Sequence, residues 1–332
     1  MPVAPVGVAS AGMRAATIRD GEIAVQQHPD PRPQAGELLV RVRAAGVNGA
    51  DMMQLAGRYP APPGAPPDIP GLELAGEVVE TGDGVERFEP GDRVMSIVGG
   101  GGQAELAVVN ERIAMPVPDE LDWIAAGGTP EVFFTAHDAL ITQAALSVGE
   151  RLLVHGAAGG VGTATIQVAK GYGARTIAVV STEEKAEVAR RAGADDVVLA
   201  DGFLAAVNDL TGGQGVDLVM DVVGGDAFTD SLRSLAPQGR LLVVGFVGGA
   251  IPEVKVNRLL LNNIDVRGVG WGAYAMVRPG FMTAQWQELE QMMAAGVIDP
   301  PIGATYDLQD FGRALVEMDE RKTLGKSVVR VR

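Results

Sequence analysis

Two textures of apolar and polar positions divide the 332-residue chain. Over the first hundred or so positions the pattern is short and alternating: 14–18, a turn at Asp20-Gly21, then 38–44, where Val40, Val42 and Ala44 alternate with Arg41 and Arg43. A period of two with one polar face predicts half-buried antiparallel strands. Segments 73–79 and 92–98 continue it across turns at 81–84 and 90–91, so this part reads as β-rich. From 149 to about 270 the pattern changes to apolar, β-branched runs at 151–155, 175–180, 196–199, 216–222, 240–246 and 264–270. Helical spacing fills 161–172, 183–192, 202–210 and 226–235. Strands separated by helical crossovers predict βαβ units and a parallel sheet covered on both faces, the doubly wound (Rossmann) α/β fold. Beyond 278 an amphipathic helix at 281–295, a helix at 308–319 and a last strand at 327–331 are expected to return to the β-rich part. The division that follows is 1–135 with 278–332 as a β-rich domain, and 136–277 as a dinucleotide-binding domain.

Composition narrows the chemistry more than the fold. There are 27 basic and 42 acidic side chains, a net charge of −15, which repels phosphate backbones and anionic lipid and makes nucleic acid and membrane poor partners. No cysteine occurs, which removes disulfides, thiol nucleophiles and thiolate metal sites. The three histidines, His28, His137 and His155, are scattered, so no metal site is expected. No apolar run is long enough to span a bilayer. The start shows neither a charged n-region nor a long apolar core of a secretory signal, so a loose lead-in with structure from about Met13 and a cytoplasmic location are expected.

The one dense motif lies where the run 151–155 meets its helix. Ala157-Ala158-Gly159-Gly160-Val161-Gly162 has the spacing of a GxGxxG turn with alanine first. Such a turn aims the free amides and the positive dipole end of a helix at a phosphate, and glycine is needed where a side chain would meet the ligand or the strand. About twenty residues on, an NAD site places a carboxylate on the ribose hydroxyls. Here that position is Ser181, with Lys185 one helical turn later; a hydroxyl and an ammonium suit an added 2′-phosphate, which favours NADP(H). Two later strand ends finish in glycine turns that bring backbone near the cofactor, at Val223 with Gly224-Gly225, and at Gly245-Phe246-Val247.

Gly149, Glu150, Leu153, Ala157, Ala158, Gly159, Gly160, Gly162, Gln167 and Lys170 fill every position of a signature that the chain shares with the zinc-lacking quinone oxidoreductases. The chain therefore resembles the zeta-crystallin-like branch of the medium-chain dehydrogenase/reductase superfamily, over about residues 13 to 332. The resemblance implies a chaperonin-10-like barrel for the β-rich part. In the zinc-containing relatives a cysteine stands in the place of Asn48 and a histidine in that of Leu72, so it implies a metal-free branch. It also places a threonine matching Thr135 near the nicotinamide and a basic residue matching Arg321 on the cofactor phosphate. A tyrosine that often follows the third strand is absent from Val197–Asp201 here.

Two residues before the proline-rich loop carry open readings. Asn48 either holds a ligand hydroxyl or amide or satisfies a turn; Tyr59 either donates to a substrate oxygen or packs beneath the loop. Thr135 is likewise a cofactor contact or a helix-interior residue. The glycines at 99–102 read as a hairpin connection. The resemblance implies NADPH-dependent hydride transfer to a quinone or another electron-poor conjugated carbonyl. Alternatives are reduction of an enal or enoyl double bond with Tyr59 as proton donor, and a non-enzymatic NADPH-binding structural or redox-sensing protein. The run 264–270 would be an exposed sheet edge, for which a homodimer is expected.

Overall fold

A computed structural model describes residues 12–275, 277–278 and 280–332; the expected lead-in lies outside them. The chain forms two compact units. One holds the described residues through Gly127 with Thr305–Val316 and Val328–Arg332, the other Gly128–Ala304 with Glu317–Ser327.

The first unit is β-rich, as its alternation predicts. Strands β1 (Met13–Arg19) and β2 (Glu22–His28) pair antiparallel across the turn Asp20-Gly21. The larger sheet contains β3 (Glu37–Gly46), β4 (Glu73–Thr81), β5 (Arg93–Ile97), β6 (Leu106–Asn110) and β7 (Ala114–Pro116). β3 is its centre: Leu38, Val40, Val42 and Ala44 are buried, Arg41 faces out, and Arg43 pairs with Glu77 of β4 at 3.3 Å. After Asn48, where the pattern predicts no element, a helix forms at Gly49–Leu55, capped by Asp51, whose carboxylate accepts the Asn48 N–H at 2.8 Å. One expectation changes. The glycines at 99–102 do not join a hairpin, because β5 pairs with β4 and β7 whereas β6 pairs with β3. That run instead lies under the proline loop, Gly101 donating to Ile69 O and Gln103 N to Pro70 O.

In the second unit β8 (Arg151–His155), β9 (Arg175–Val180), β10 (Asp196–Leu199), β11 (Val216–Asp221), β12 (Leu235–Val243) and β13 (Asp265–Gly268) form a parallel sheet. Its order is β10-β9-β8-β11-β12-β13. In order of appearance this is 3-2-1-4-5-6, the doubly wound arrangement that opens a crevice at the carboxyl ends of the first and fourth strands. Leu153, Ile177, Val219 and Leu241 from the strands pack on Phe203, Val207 and Phe228. β12 starts at Leu235, earlier than its apolar run, because Val216 N–H reaches back to Ser234 O and Gln238 takes a left-handed turn before the ladder resumes.

Residues 128–135 and 278–304, expected on the β-rich side, group with the parallel sheet. The reason is visible in the helix Phe281–Ala294: Trp286 stacks on Phe134 with centroids 6.5 Å apart, and Gln285 and Glu288 bond to His137. Gln167 of the signature adds a clamp, exchanging two hydrogen bonds with the backbone of Asp299 at 2.6 and 2.9 Å. β14 (Ile302–Asp307) and β15 (Lys326–Arg330) complete the larger β-sheet through pairing of β15 with β3.

Candidate dinucleotide site

The chain leaves β8 at Gly156, in left-handed backbone with φ +63, and re-enters a helix at Gly160–Gly171 with Gly159 as its N-cap. Gly156 O accepts the Gly159 N–H at 3.0 Å, and Gly325 N–H closes on Ala158 O at 2.8 Å. The first amides of the helix, those of Gly160, Val161 and Gly162, belong to a turn with no preceding helical carbonyl to bond. The two glycines at the ends of the motif are there for different reasons. A Cβ on Gly162 would fall 2.3 Å from Gly156 O, so that glycine lets helix and strand close up. A Cβ on Gly159 would meet only Gly156 O, at 3.5 Å, and φ there is an ordinary −88. Gly159 thus borders open space at the helix N-terminus.

A second cluster sits where β9 ends. Thr182 caps the helix Glu183–Ala192, and one turn in, the Lys185 ammonium donates to Ser181 Oγ at 3.3 Å and to the Arg321 carbonyl at 2.6 Å. Arg321 takes left-handed backbone (φ 58) and its guanidinium donates to Val247 O at 3.3 Å. The structure therefore brings Ser181, Lys185, Arg321 and Val247 together from three segments. Burial and the neighbouring Arg321 charge push the Lys185 ammonium below its usual range, against a smaller pull from Glu184. The two cations thus lie close enough for each to feel the other's charge.

Val223 lies in the turn after β11, and Gly245, Phe246 and Val247 in the turn after β12; Phe246 and Val247 are 38% and 50% exposed. Thr135 is half-buried within the helix Pro130–His137. Asn48 and Tyr59 belong to the β-rich unit. Asn48 is buried, and its Nδ2 donates to Glu73 Oε1 at 2.9 Å. Tyr59 follows the helix Gly49–Leu55 and is 42% exposed. Glu73, fully buried, is a partner that the sequence did not single out; an acid at the first position of a strand was the available signal.

A 3-2-1-4-5-6 sheet with a glycine turn at its first strand end defines a dinucleotide-binding protein of the doubly wound class. Residues 160–295 match the family model described as zinc-binding dehydrogenase, and residues 34–119 the alcohol dehydrogenase GroES-like domain. The quinone oxidoreductase-like protein 2 of Bos taurus is 37% identical over 300 residues, covering 89% of this chain and 86% of that protein. A mycobacterial protein solved with NADPH superposes with a TM-score of 0.89 at 32% identity, over 96% of this chain and 100% of the other. The quinone oxidoreductase of Escherichia coli, also solved with NADPH, gives 0.85 at 28%, over 96% and 99%. The chain belongs to the quinone oxidoreductase branch of the medium-chain dehydrogenase/reductase superfamily.

The first family model carries zinc in its description, but the donor set does not suit that ion. Leu72 has no ligand atom, the Asn48 amide is engaged by Glu73, and the described residues contain no group of three or more His, Cys, Asp or Glu that could hold a metal.

Proposed function

We propose that this protein is a zinc-independent, NADPH-dependent reductase that delivers hydride to a quinone or a similar electron-poor conjugated carbonyl. The observation that carries the reading is the Ser181–Lys185–Arg321 cluster beside the glycine turn: a diphosphate cradle followed by paired cations, with a hydroxyl where an NAD site has an acid. The NADPH complexes of the mycobacterial and Escherichia coli proteins support it.

In this reading the backbone at Ala158, Gly159, Gly160, Val161 and Gly162 holds the diphosphate. Ser181, Lys185 and Arg321 hold the 2′-phosphate. Val223, Gly245, Phe246 and Val247 wall the cofactor, with Thr135 near the nicotinamide. The dinucleotide supplies the hydride when bound. The protein contributes orientation and exclusion of water. A quinone accepts hydride to give a hydroquinone anion that collects its proton from solvent, so no strong acid is needed. Asn48, on the substrate-bearing β-rich domain, holds a ligand hydroxyl or amide. Tyr59, with its ring partly in solvent, favours a second reading in which it protonates the enolate left by an enal or enoyl substrate.

Steady-state oxidation of NADPH against a panel of quinones and enals, with wild type and Tyr59→Phe, tests both. Quinone turnover that survives the substitution supports the first reading, and loss of enal turnover alone supports the second. Tight NADPH binding without turnover of any acceptor overturns both and leaves a nucleotide-holding protein. We further infer a cytoplasmic homodimer: β13 is a sheet edge, and Leu260 and Leu261, 76% and 74% exposed just before it, ask for cover. A monomeric mass in solution would refute the dimer.

A further inference from the structure

Asp221 is the last residue of β11 and is almost wholly buried. Its Oδ1 accepts two successive main-chain N–H groups, those of Val223 and Gly224, each at 2.8 Å. Its own carbonyl accepts the N–H of Val244, at the end of the neighbouring strand, at 2.9 Å. The turn so formed is bonded in its other direction to the turn after β12. Val222 O accepts from Val247 N at 3.2 Å, Val223 O from Gly248 N at 2.8 Å, and Ala250 O from Gly225 N at 3.1 Å. A Cβ on Gly248 would stand 2.6 Å from Val223 O, so the two turns touch with no room between them.

The base of this block is closed by His155, the last residue of β8. Ser231 sends its hydroxyl hydrogen to Ala227 O at 2.9 Å, so at its 2.9 Å contact with His155 Nε2 the serine accepts and the imidazole donates. The ring, held edge-on to Phe203 at 4.9 Å, thus stands as the Nε2–H tautomer beside the carboxylate. Every polar group described here faces another part of the protein.

We propose that Asp221 is a positioning residue that sets the two cofactor-facing turns, 222–225 and 245–250, as one rigid wall. It touches no cofactor atom; it acts by tying the amides of Val223 and Gly224 and, through them, the backbone that carries Phe246 and Val247. The proposal rests on the NADPH reading above for what the wall is for, but not for the wall itself.

The test pairs Asp221→Ala with Asp221→Asn, which keeps an acceptor oxygen, and with Gly248→Ala, which wedges the turns apart without touching the carboxylate. In ligand-free protein, amide hydrogen exchange at Val223, Gly224 and Gly248 is expected to speed up in the Ala variants and stay near wild type in Asp221→Asn. NADPH dissociation constants by calorimetry are expected to rise about tenfold in both Ala variants, through lost charge-assisted bonds in Asp221→Ala and through displaced turns in Gly248→Ala, with the cost in KM rather than kcat. A uniform loss of protection across the sheet, or unchanged exchange at the three amides, overturns the wall. Faster exchange with an unchanged NADPH constant overturns its role in cofactor binding. If wild type binds no NADPH while the exchange pattern appears as expected, the functional reading fails and the wall stands.

Discussion

Trp271 donates its indole N–H to Oε1 of Gln285 at 2.8 Å. Because indole nitrogen can only donate, the Gln285 amide is turned one way, and its Nε2 hydrogens face His137 Nδ1 at 3.2 Å. That ring nitrogen must accept. The proton on Nε2 then goes to Glu288 Oε2 at 3.0 Å, where the Tyr172 hydroxyl also donates. Tyr172 is pushed above the usual phenol range by burial and by Glu288, and the carboxyl of Glu288 is held low chiefly by that hydroxyl.

Gln285→Glu replaces the Nε2 donor with a carboxylate oxygen, so that an acceptor faces the accepting Nδ1 of His137, and is expected to destabilise the protein by about 1–3 kcal/mol. Chemical denaturation reads the difference; an undiminished stability would sink the tautomer assignment.

His155 gives the fold a pH signature. Burial holds its imidazole below the ordinary range, with the Asp221 charge pulling weakly the other way. When pH drops through about 6.5, the unfolded chain takes up a proton that the folded chain refuses, so stability falls toward acid by up to about 1.4 kcal/mol per unit. His155→Gln keeps a donor for Ser231 and does not titrate. Its melting temperature is expected to be lower than wild type at pH 7.5 and to change less between 7.5 and 5.5. Parallel acid slopes in the two proteins would contradict this.

The cofactor unit was largely legible because its strands are continuous apolar runs: 151–155, 175–180 and 196–199 end where the pattern ends. The β-rich unit was less so. Strand β2 mixes polar residues on both faces, and the helix Gly49–Leu55 is only seven residues long, with Gly49 at its start weakening the helical signal. The allegiance of 278–304 could not be read at all, since it depends on Gln285 finding His137 across 148 positions. In the site, the glycine turn and Ser181, Lys185 and Arg321 had sequence marks. Asp221 and Glu73 had none beyond being acids at strand termini, and their meaning comes from the amides they face.

The two glycines that frame the cradle separate folding from binding. Gly159→Ala has room and an accessible φ, so its stability is expected to stay within about 0.5 kcal/mol of wild type while NADPH binding weakens by at least an order of magnitude. Gly162→Ala drives a methyl into Gly156 O and Ala157, and is expected to lower stability by roughly 1–3 kcal/mol. Thermal melts with calorimetric titration distinguish them. Undiminished NADPH affinity in Gly159→Ala would remove the diphosphate from this turn.

On the proposed reading the paired cations set the cofactor preference, which two substitutions are then expected to reverse. Lys185→Ala deletes one charge-assisted contact to a 2′-phosphate, and kcat/KM for NADPH is expected to fall roughly ten- to a hundredfold with little change for NADH, about 1.5–3 kcal/mol of binding. It also frees the carbonyl of Arg321, an exposed group that water can satisfy, so the fold should not suffer. Ser181→Asp goes further: a carboxylate at the end of β9 accepts from ribose hydroxyls and repels the phosphate. The double variant is expected to prefer NADH. Steady-state kinetics with both nucleotides check each step, and an NADPH preference that persists in the double variant would move the 2′-phosphate away from Ser181, Lys185 and Arg321.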